Sequence, residues 1–322
     1  MFASIATSRS ASALVRSLQP RVPVALTRFA PAPTGALHIG HVANAVFVWG
    51  VARALGGRVL LRIEDHDRQR ARPELERRLL DDLDWLGFSA DVYPSACYRR
   101  EACEGRQSER DAIYRAALSP FIHAGLIYGC DCTRRQSGSA AESQVERPYP
   151  GTCRTRGIPP GDGVGWRLKI EPGTEEFDDG LLGPQQQDPS LQCGDLLLRD
   201  RLGNWTYQCA ATIDDTLQGV TLVIRGQDLL ESTGRQLRLA RLLGRAAPPI
   251  FVHHPLVMKS ATQKLSKSDG DSGVRDLRAA GWSPADVIGY AVHLMGVTPT
   301  REPLNADDLP RLFRDQADAP VS

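Results

Sequence analysis

The stretch RFAPAPTGALHIGH, Arg28 to His41, joins a short apolar run to a longer one of different period. Val24 to Phe29 is β-branched or aromatic at several positions and reads as a buried strand, whereas Leu37 to Leu55 carries apolar residues at helical spacing. Between them lies a Pro- and Gly-containing turn. Gly57 to Ile63 reads as a second strand, and Pro73 to Leu86 as a second helix with Pro73 near its start. Strand, helix and strand in succession make a βαβ unit, hence an α/β fold with a parallel sheet. Such sheets bind phosphates where a strand ends and a helix begins, because the first-turn amides point outward there. His38, Gly40 and His41 stand at that point, and two imidazoles beside the amides suit the oxygens of a triphosphate.

A second stretch lies more than 200 residues on. KLSKS, Lys264 to Ser268, clusters two lysines and two serines in a loop. A histidine pair or a lysine-serine loop alone carries little weight, the first as helix-start residues and the second as solvated surface. Together, and in this order, they point to ATP: His38 and His41 on the phosphates, Lys267 on transition-state and pyrophosphate charge, Lys264 in support.

Working outward, the 322 residues carry a net charge of +1 and an ordinary 42% hydrophobic content. A nucleic-acid partner would therefore meet a local basic face. No apolar run approaches the roughly 20 residues of a membrane span. Residues 1–23 hold Arg9, Arg16 and Arg21 with several serines and no acid, and read as a disordered leader without assigned function. Seven unevenly spaced cysteines argue against a disulfide scaffold and for a reducing compartment, the cytoplasm.

Further along, Ser108 to Ala124 reads as a helix, and Gly163 to Ile170 and Gly194 to Arg199 as strands separated by a loop, Pro172 to Gln192. Tyr207 to Asp215 and Val220 to Ile224 are apolar and β-branched and read as strands. Thr233 to Leu243 and Pro284 to Met295 are helical, the second capped by Ser283. Cys130, Cys132 and Cys153 have spacing that suits tetrahedral Zn²⁺, but the segment holds no fourth Cys or His. Cys97, Cys103, Cys193 and Cys209 lack metal spacing and read as structural.

These motifs resemble the HIGH and KMSKS signatures of class I aminoacyl-tRNA synthetases, and their surroundings are similar to the glutamyl group. The matching stretches are RFAPAPTGALHIGH (28–41), LRIEDHDRQR (61–70), QSER (107–110), ATIDDTLQGVTLVIRGQDLLEST (211–233) and HHPLVMKSATQKLSKS (253–268). The resemblance implies a Rossmann-type parallel sheet in two halves, residues 24–125 and 196–259, split by a zinc-containing connecting insertion over 126–195. A KLSKS loop and short helical tail follow over 260–322, with no anticodon-binding domain. It implies attack of an amino-acid carboxylate on ATP, with Mg²⁺, to give an aminoacyl adenylate. It assigns Arg28, Phe29, Ala30, Pro31, Ala32, Glu64, Tyr207 and Arg225 to a glutamate pocket: the two guanidinium groups hold the side-chain carboxylate, and Glu64 receives the α-ammonium. Asp65 and Asp67 are left as structural or functional. A short branch of the group carries CXC followed by YXXXC with tyrosine as a zinc ligand, which makes Tyr149 the fourth ligand beside Cys130, Cys132 and Cys153.

After KLSKS only 54 residues remain. The short branch activates glutamate without tRNA and transfers it to the queuosine base in the anticodon loop of tRNA(Asp), working as a monomer. The alternatives are a glutamyl-tRNA synthetase catalytic domain charging a tRNA 3′ end, and an idle fold that only binds nucleotide or a partner. Arg68, Arg70, Arg72, Arg77, Arg78, Arg154 and Arg156 are either phosphate contacts or solvated surface. The chain departs from the group's pattern at Gly234, where proline is usual, and in the length of the segment between Cys132 and Tyr149.

Overall fold

The computed structural model describes residues 11–100, 102–133, 136, 148–257 and 273–314. Helix α1 (Ala11–Leu18) is followed by β1 (Leu26–Phe29), α2 (Ile39–Ala54), β2 (Arg58–Leu61), α3 (Pro73–Leu86), the single turn α4 (Ser95–Tyr98) and α5 (Asp111–His123). Strands β1 and β2 pair in parallel, with Arg28 opposite Leu60. Helix α2 connects them, and 11 of its 16 residues are buried. A helix apolar on nearly every side must be covered on every side. The sheet lies on one face, α10 and α11 on another, and the Phe313 ring closes against Phe47 at 5.6 Å between centroids.

The next segment is antiparallel. β3 (Ile127–Cys130), β4 (Gly165–Leu168) and, after a hairpin of β5 (Glu175–Asp179) with β6 (Gly183–Gln187) and the turn α6 (Pro189–Gln192), β7 (Leu196–Arg199) supply a three-stranded sheet in the order β3-β4-β7. It thus takes in residues beyond 195. The expected loop over 172–192 holds the β5–β6 hairpin. Its outward residues are Glu, Asp and Gln, so it lacks an apolar signature, yet its ends Glu175, Asp179 and Gln187 are buried.

The chain then re-enters the parallel layer through α7 (Tyr207–Leu217), β8 (Leu222–Gly226), α8 (Thr233–Leu242) and β9 (Ile250–His254). Tyr207–Asp215 is a helix, which corrects the strand reading. Thr206 caps it by accepting from the Cys209 amide, and the hydroxyls of Thr212 and Thr216 bond back to the carbonyls four residues earlier, so their β-branching is accommodated. Strands β8 and β9 pair in parallel. The expected single sheet appears as two parallel pairs, joined where the Thr221 amide donates to the Leu26 carbonyl at 2.9 Å. Helices α9 (Val274–Ala279), α10 (Pro284–Leu294, capped by Ser283 as expected) and α11 (Leu309–Phe313) complete the described chain.

Two expectations need correction. Residues 11–18 do not behave as a disordered leader: α1 buries Leu14, Val15 and Leu18 in the main core. Two leucines withdrawn from water in this way contribute about 1.5–3 kcal/mol each. Cys97 and Cys103 are joined in a disulfide, a pairing that their spacing had not suggested. No helix among the described residues is long and apolar enough to cross a membrane.

Candidate active site

His38 is the N-cap of α2. Its Nδ1 accepts from the Gly40 amide at 3.1 Å, while His41 Nδ1 accepts from the His38 amide at 3.2 Å. The histidine pair therefore builds a reciprocal cap, with ring centroids 4.0 Å apart. In each neutral ring the accepting Nδ1 leaves the proton on Nε2, the nitrogen that would donate to a phosphate.

A cavity of about 430 Å³ opens beside this cap. Arg28, Ala30, His38, Gly40, His41, Glu64, Tyr207 and Arg225 line it, so eight expected residues from four segments meet around one space. Phe29, Pro31 and Ala32 are not among the lining side chains. Phe29 instead packs on Trp49 in the core, as expected for a strand covered on both faces. The Pro31 carbonyl accepts from the Glu64 amide at 3.1 Å and so sets the depth of that carboxylate. Lys264 and Lys267 lie outside the described residues.

Two arginines of different standing face the cavity. Arg28 donates Nε to Asp215 at 3.3 Å and NH1 to the Ile224 carbonyl at 3.2 Å. Arg225 meets no carboxylate among the described residues. It donates Nε to His253 Nε2 at 2.9 Å, NH1 to Gln236 at 2.7 Å and Tyr207 at 3.2 Å, and NH2 to Thr233 at 2.8 Å. These partners are neutral, and burial holds the guanidinium below its ordinary pKa. Arg28 and Arg225 share the cavity wall with the carboxylates of Glu64 and Asp228, and of the two cations Arg225 is the one with no carboxylate in salt-bridge reach among the described residues. A buried guanidinium with only neutral hydrogen-bond partners favours an anion beside it.

Behind the wall, Arg62 is fully buried and bridges Asp215 at 2.7 Å and Glu64 Oε1 at 3.1 Å. Burial alone would raise Asp215, but Arg62 and Arg28 outweigh it and hold the carboxyl below its ordinary value. Asp214, next in the chain, takes Gln107, Arg110 and Tyr114 at 2.7–2.8 Å, so the QSER and IDD stretches meet through it. Asp65 accepts from the Ser108 amide and hydroxyl, and Asp67 pairs with Arg70. Sequence reading missed Arg62, Asp215, Thr233, Gln236, His253 and His254, along with Asn44 and Leu256 in the lining. The adjacent acids of IDD and the HH pair were the available signals.

A larger cavity of about 840 Å³ shares Tyr207 with the first and is lined also by His66, Asp67, Arg70, Arg201 and Trp205. Cys130 and Cys132 form part of its wall. Their sulfurs gather with that of Cys153 within 4.8 Å of one another. Cys132 and Cys153 Sγ are 3.5 Å apart, and Tyr149 Oη stands 3.4 Å from Cys130 Sγ and 3.6 Å from Cys132 Sγ. A tetrahedron with zinc–sulfur bonds of about 2.3 Å and a zinc–oxygen bond of about 2.0 Å has edges of roughly 3.8 and 3.5 Å. The donor set fits that ion. Arg167 lies 3.7 Å over the Tyr149 ring, and Gly194, at φ +64°, passes so close to the Tyr149 backbone that a Cβ would sit 2.4 Å from its carbonyl oxygen.

The unusual Gly234 also has its reason. Its amide donates to Gln187 Oε1 at 2.8 Å, and a Cβ there would come within 2.7 Å of Gln187 Cβ. Proline offers neither the proton nor the room.

Residues 24–313 match the family model of class I tRNA synthetases (E and Q), catalytic domain. Curated relatives named glutamyl-Q tRNA(Asp) synthetase include one from Nitratidesulfovibrio vulgaris, 39% identical over 89% of this chain and 89% of its own. Another, from Rhodobacter capsulatus, is 40% identical over 81% of this chain and 98% of its own. A third, from Bordetella bronchiseptica, is 45% identical over 76% and 75%. Among solved structures, a glutamate tRNA ligase from Elizabethkingia meningosepticum, in complex with its amino acid, superposes with a TM-score of 0.71 at 24% identity. It shares the fold over 90% of this chain, which spans 65% of that longer one.

Proposed function

The chain belongs to the family of class I tRNA synthetases for glutamate and glutamine, catalytic domain, and on that premise we propose that it activates L-glutamate with ATP, without tRNA, and transfers it to the queuosine base in the anticodon loop of tRNA(Asp). The observation that carries the amino-acid choice is Arg225, a buried cation with neutral partners facing a cavity that Glu64 also lines. A side-chain carboxylate compensates Arg225 and Arg28, and Glu64 takes the α-ammonium. A neutral glutamine amide would leave Arg225 without an anionic partner.

The α-carboxylate oxygen then attacks the α-phosphorus of ATP, forming a P–O bond as the bond to pyrophosphate breaks. Both reactants are anions, so alignment and fixed positive charge provide most of the acceleration. The α2 amides with the Nε2 donors of His38 and His41 meet the phosphates, and Lys264 and Lys267 are assigned to the leaving pyrophosphate. Mg²⁺ bound with ATP would neutralise phosphate charge. The larger cavity, separated from the glutamate by Tyr207, is the space read here for the acceptor nucleoside. Zinc, one ion on Cys130, Cys132, Tyr149 and Cys153, would fix the wall of that space. The reading includes one Rossmann-type sheet divided by the antiparallel insertion that ends with β7, and a monomer in the cytoplasm.

The test is ATP–pyrophosphate exchange with glutamate in the absence of tRNA, followed by transfer of labelled glutamate to queuosine-containing and queuosine-free tRNA(Asp). Exchange without tRNA and transfer only to the queuosine form are expected. Exchange that requires tRNA(Glu), with the label at a 3′ end, would overturn the reading.

A further inference from the structure

We infer that Asp179 and His253 are positioning residues for Arg225, so that the β5–β6 hairpin sets the side-chain specificity of the amino-acid cavity. The inference rests on reading Arg225 as the group that holds the substrate's side-chain carboxylate.

The argument starts from a proton count. An arginine Nε can only donate, and Arg225 Nε lies 2.9 Å from His253 Nε2. His253 Nε2 must therefore carry a lone pair, which puts the ring proton on Nδ1. That nitrogen is 2.7 Å from Asp179 Oδ2. Asp179, His253 and Arg225 are all buried, at 1%, 0% and 4% exposure, so water does not substitute for any of these bonds. An imidazolium would set donor against donor at Arg225. Burial and the neighbouring guanidinium both work against that form, holding His253 below its ordinary pKa despite Asp179.

Asp179 has no freedom to rearrange. Its Oδ1 accepts from the amides of Leu181 at 2.9 Å and Leu182 at 3.0 Å, in the turn of the hairpin. The His253 amide also reaches Asp179 at 3.2 Å. The other end of the hairpin is tied as well: Gln187 accepts from the Gly234 amide and donates to the Leu230 carbonyl at 3.0 Å. Gly234 sits between Thr233 and Gln236 on one turn of α8, and both of these accept from Arg225. The hairpin thus grips the guanidinium from two sides, through His253 on β9 and through the first turn of α8.

Four of the five N–H donors of Arg225 are spent on His253, Gln236, Tyr207 and Thr233. The direction of the remaining donor is fixed by those four. The bond through His253 fixes the plane of the fork, because Nε is the atom nearest the stem.

Asp179→Asn tests this. In the variant the two turn amides, with the His253 amide also in reach at 3.4 Å, hold the oxygen at the Oδ1 position, so the new amide nitrogen takes the place of Oδ2 and only the 3.2 Å bond from the His253 amide is given up. It then donates to His253 Nδ1, moves the ring proton to Nε2, and opposes Arg225 Nε–H. We expect KM for glutamate to rise on the order of tenfold or more, with a smaller change in kcat and in KM for ATP, and the preference for glutamate over glutamine to fall. In ¹⁵N-labelled protein the His253 ring should change from the Nδ1–H to the Nε2–H tautomer. Unchanged tautomer, KM and preference in a folded Asp179→Asn protein would overturn the inference. Should that variant not fold, the wild-type ring decides alone: Nδ1–H supports the inference, and Nε2–H or imidazolium overturns it. Failure of the underlying reading looks different, since wild type would then give no glutamate-dependent exchange at all.

Discussion

Arg62 donates to Asp215 at 2.7 Å across 153 residues of sequence, with none of its side chain exposed. The same guanidinium reaches Glu64, and Asp215 in turn holds Arg28. One buried cation therefore connects the two residues read as opposite ends of the amino-acid site. Its own pKa stands well above the ordinary value: burial opposes the charge, but Asp215, Glu64 and Asp214 more than offset it.

Replacing Arg62 by methionine keeps much of the volume, leaves the buried Glu64 without its counter-ion and leaves Asp215 with Arg28 alone. The expected loss of stability is about 3–5 kcal/mol. Asp215→Asn should cost less, since Arg62 retains Glu64, and should disturb Arg28 more. Urea denaturation of both variants and of the double mutant reads the coupling; additive effects would separate the two residues.

Metal removal gives a second outcome. About one zinc per chain should be found by elemental analysis, lost in Cys130→Ser or Cys153→Ser and on chelation, with a fall in melting temperature. Tyr149→Phe keeps the three sulfurs and should weaken binding by roughly tenfold or more. Equal zinc affinity in Tyr149→Phe would remove the phenol oxygen from the ligand set.

Stability should fall as pH drops from about 6.5 towards 4. Burial holds His254 down at a pKa of about 4, against an ordinary 6.5, outweighing the Pro255 carbonyl that its Nδ1 meets at 2.8 Å. Between these values the unfolded chain binds a proton that the folded chain does not, so unfolding is favoured as pH falls, by up to about 1.4 kcal/mol per unit. His253, also depressed, acts with the same sign. Asp179 and Asp215, held below the carboxylate range, add their loss only at lower pH still. Denaturation curves from pH 7 to 4.5 measure the slope, and His254→Gln should flatten it.

Leu14→Ala should destabilise the fold by about 2–5 kcal/mol, as for a fully buried leucine. Residues of a disordered leader would tolerate it without change. Thermal unfolding distinguishes the two outcomes.

What was legible in the sequence follows the range of the interactions. The first strand, α2 and β2 are local patterns of period and punctuation, and the cap formed by His38 and His41 is local as well. The Cys130–Cys153 cluster was visible because its spacing is one that suits metal ligands. Tyr207–Asp215 misled because its aromatic and β-branched content suits a strand, while the forces that make it helical are the Thr206 cap and the partners of Asp214 and Asp215 far away in sequence. The hairpin over Glu175–Gln187 was hidden by its polarity. Helix α1 did carry a signal, Leu14, Val15 and Leu18 on one face, which acid-poor composition obscured. Arg62 and Asp215 could not be paired by any local rule: each reads as an ordinary charged residue until the fold removes the water between them.

The 153-residue separation of that pair has a bearing on how the protein is made. A nascent chain that has emerged as far as Glu64 carries Arg62 without the carboxylate that permits its burial. At 5–20 residues per second, Asp215 follows roughly 8–30 s later. Until then the first βαβ unit must keep its inner charge hydrated and its layer open. Closure of the cavity between Arg28, Glu64 and Arg225 is thereby deferred to a late stage of synthesis, and no fragment ending before α7 would hold its full lining.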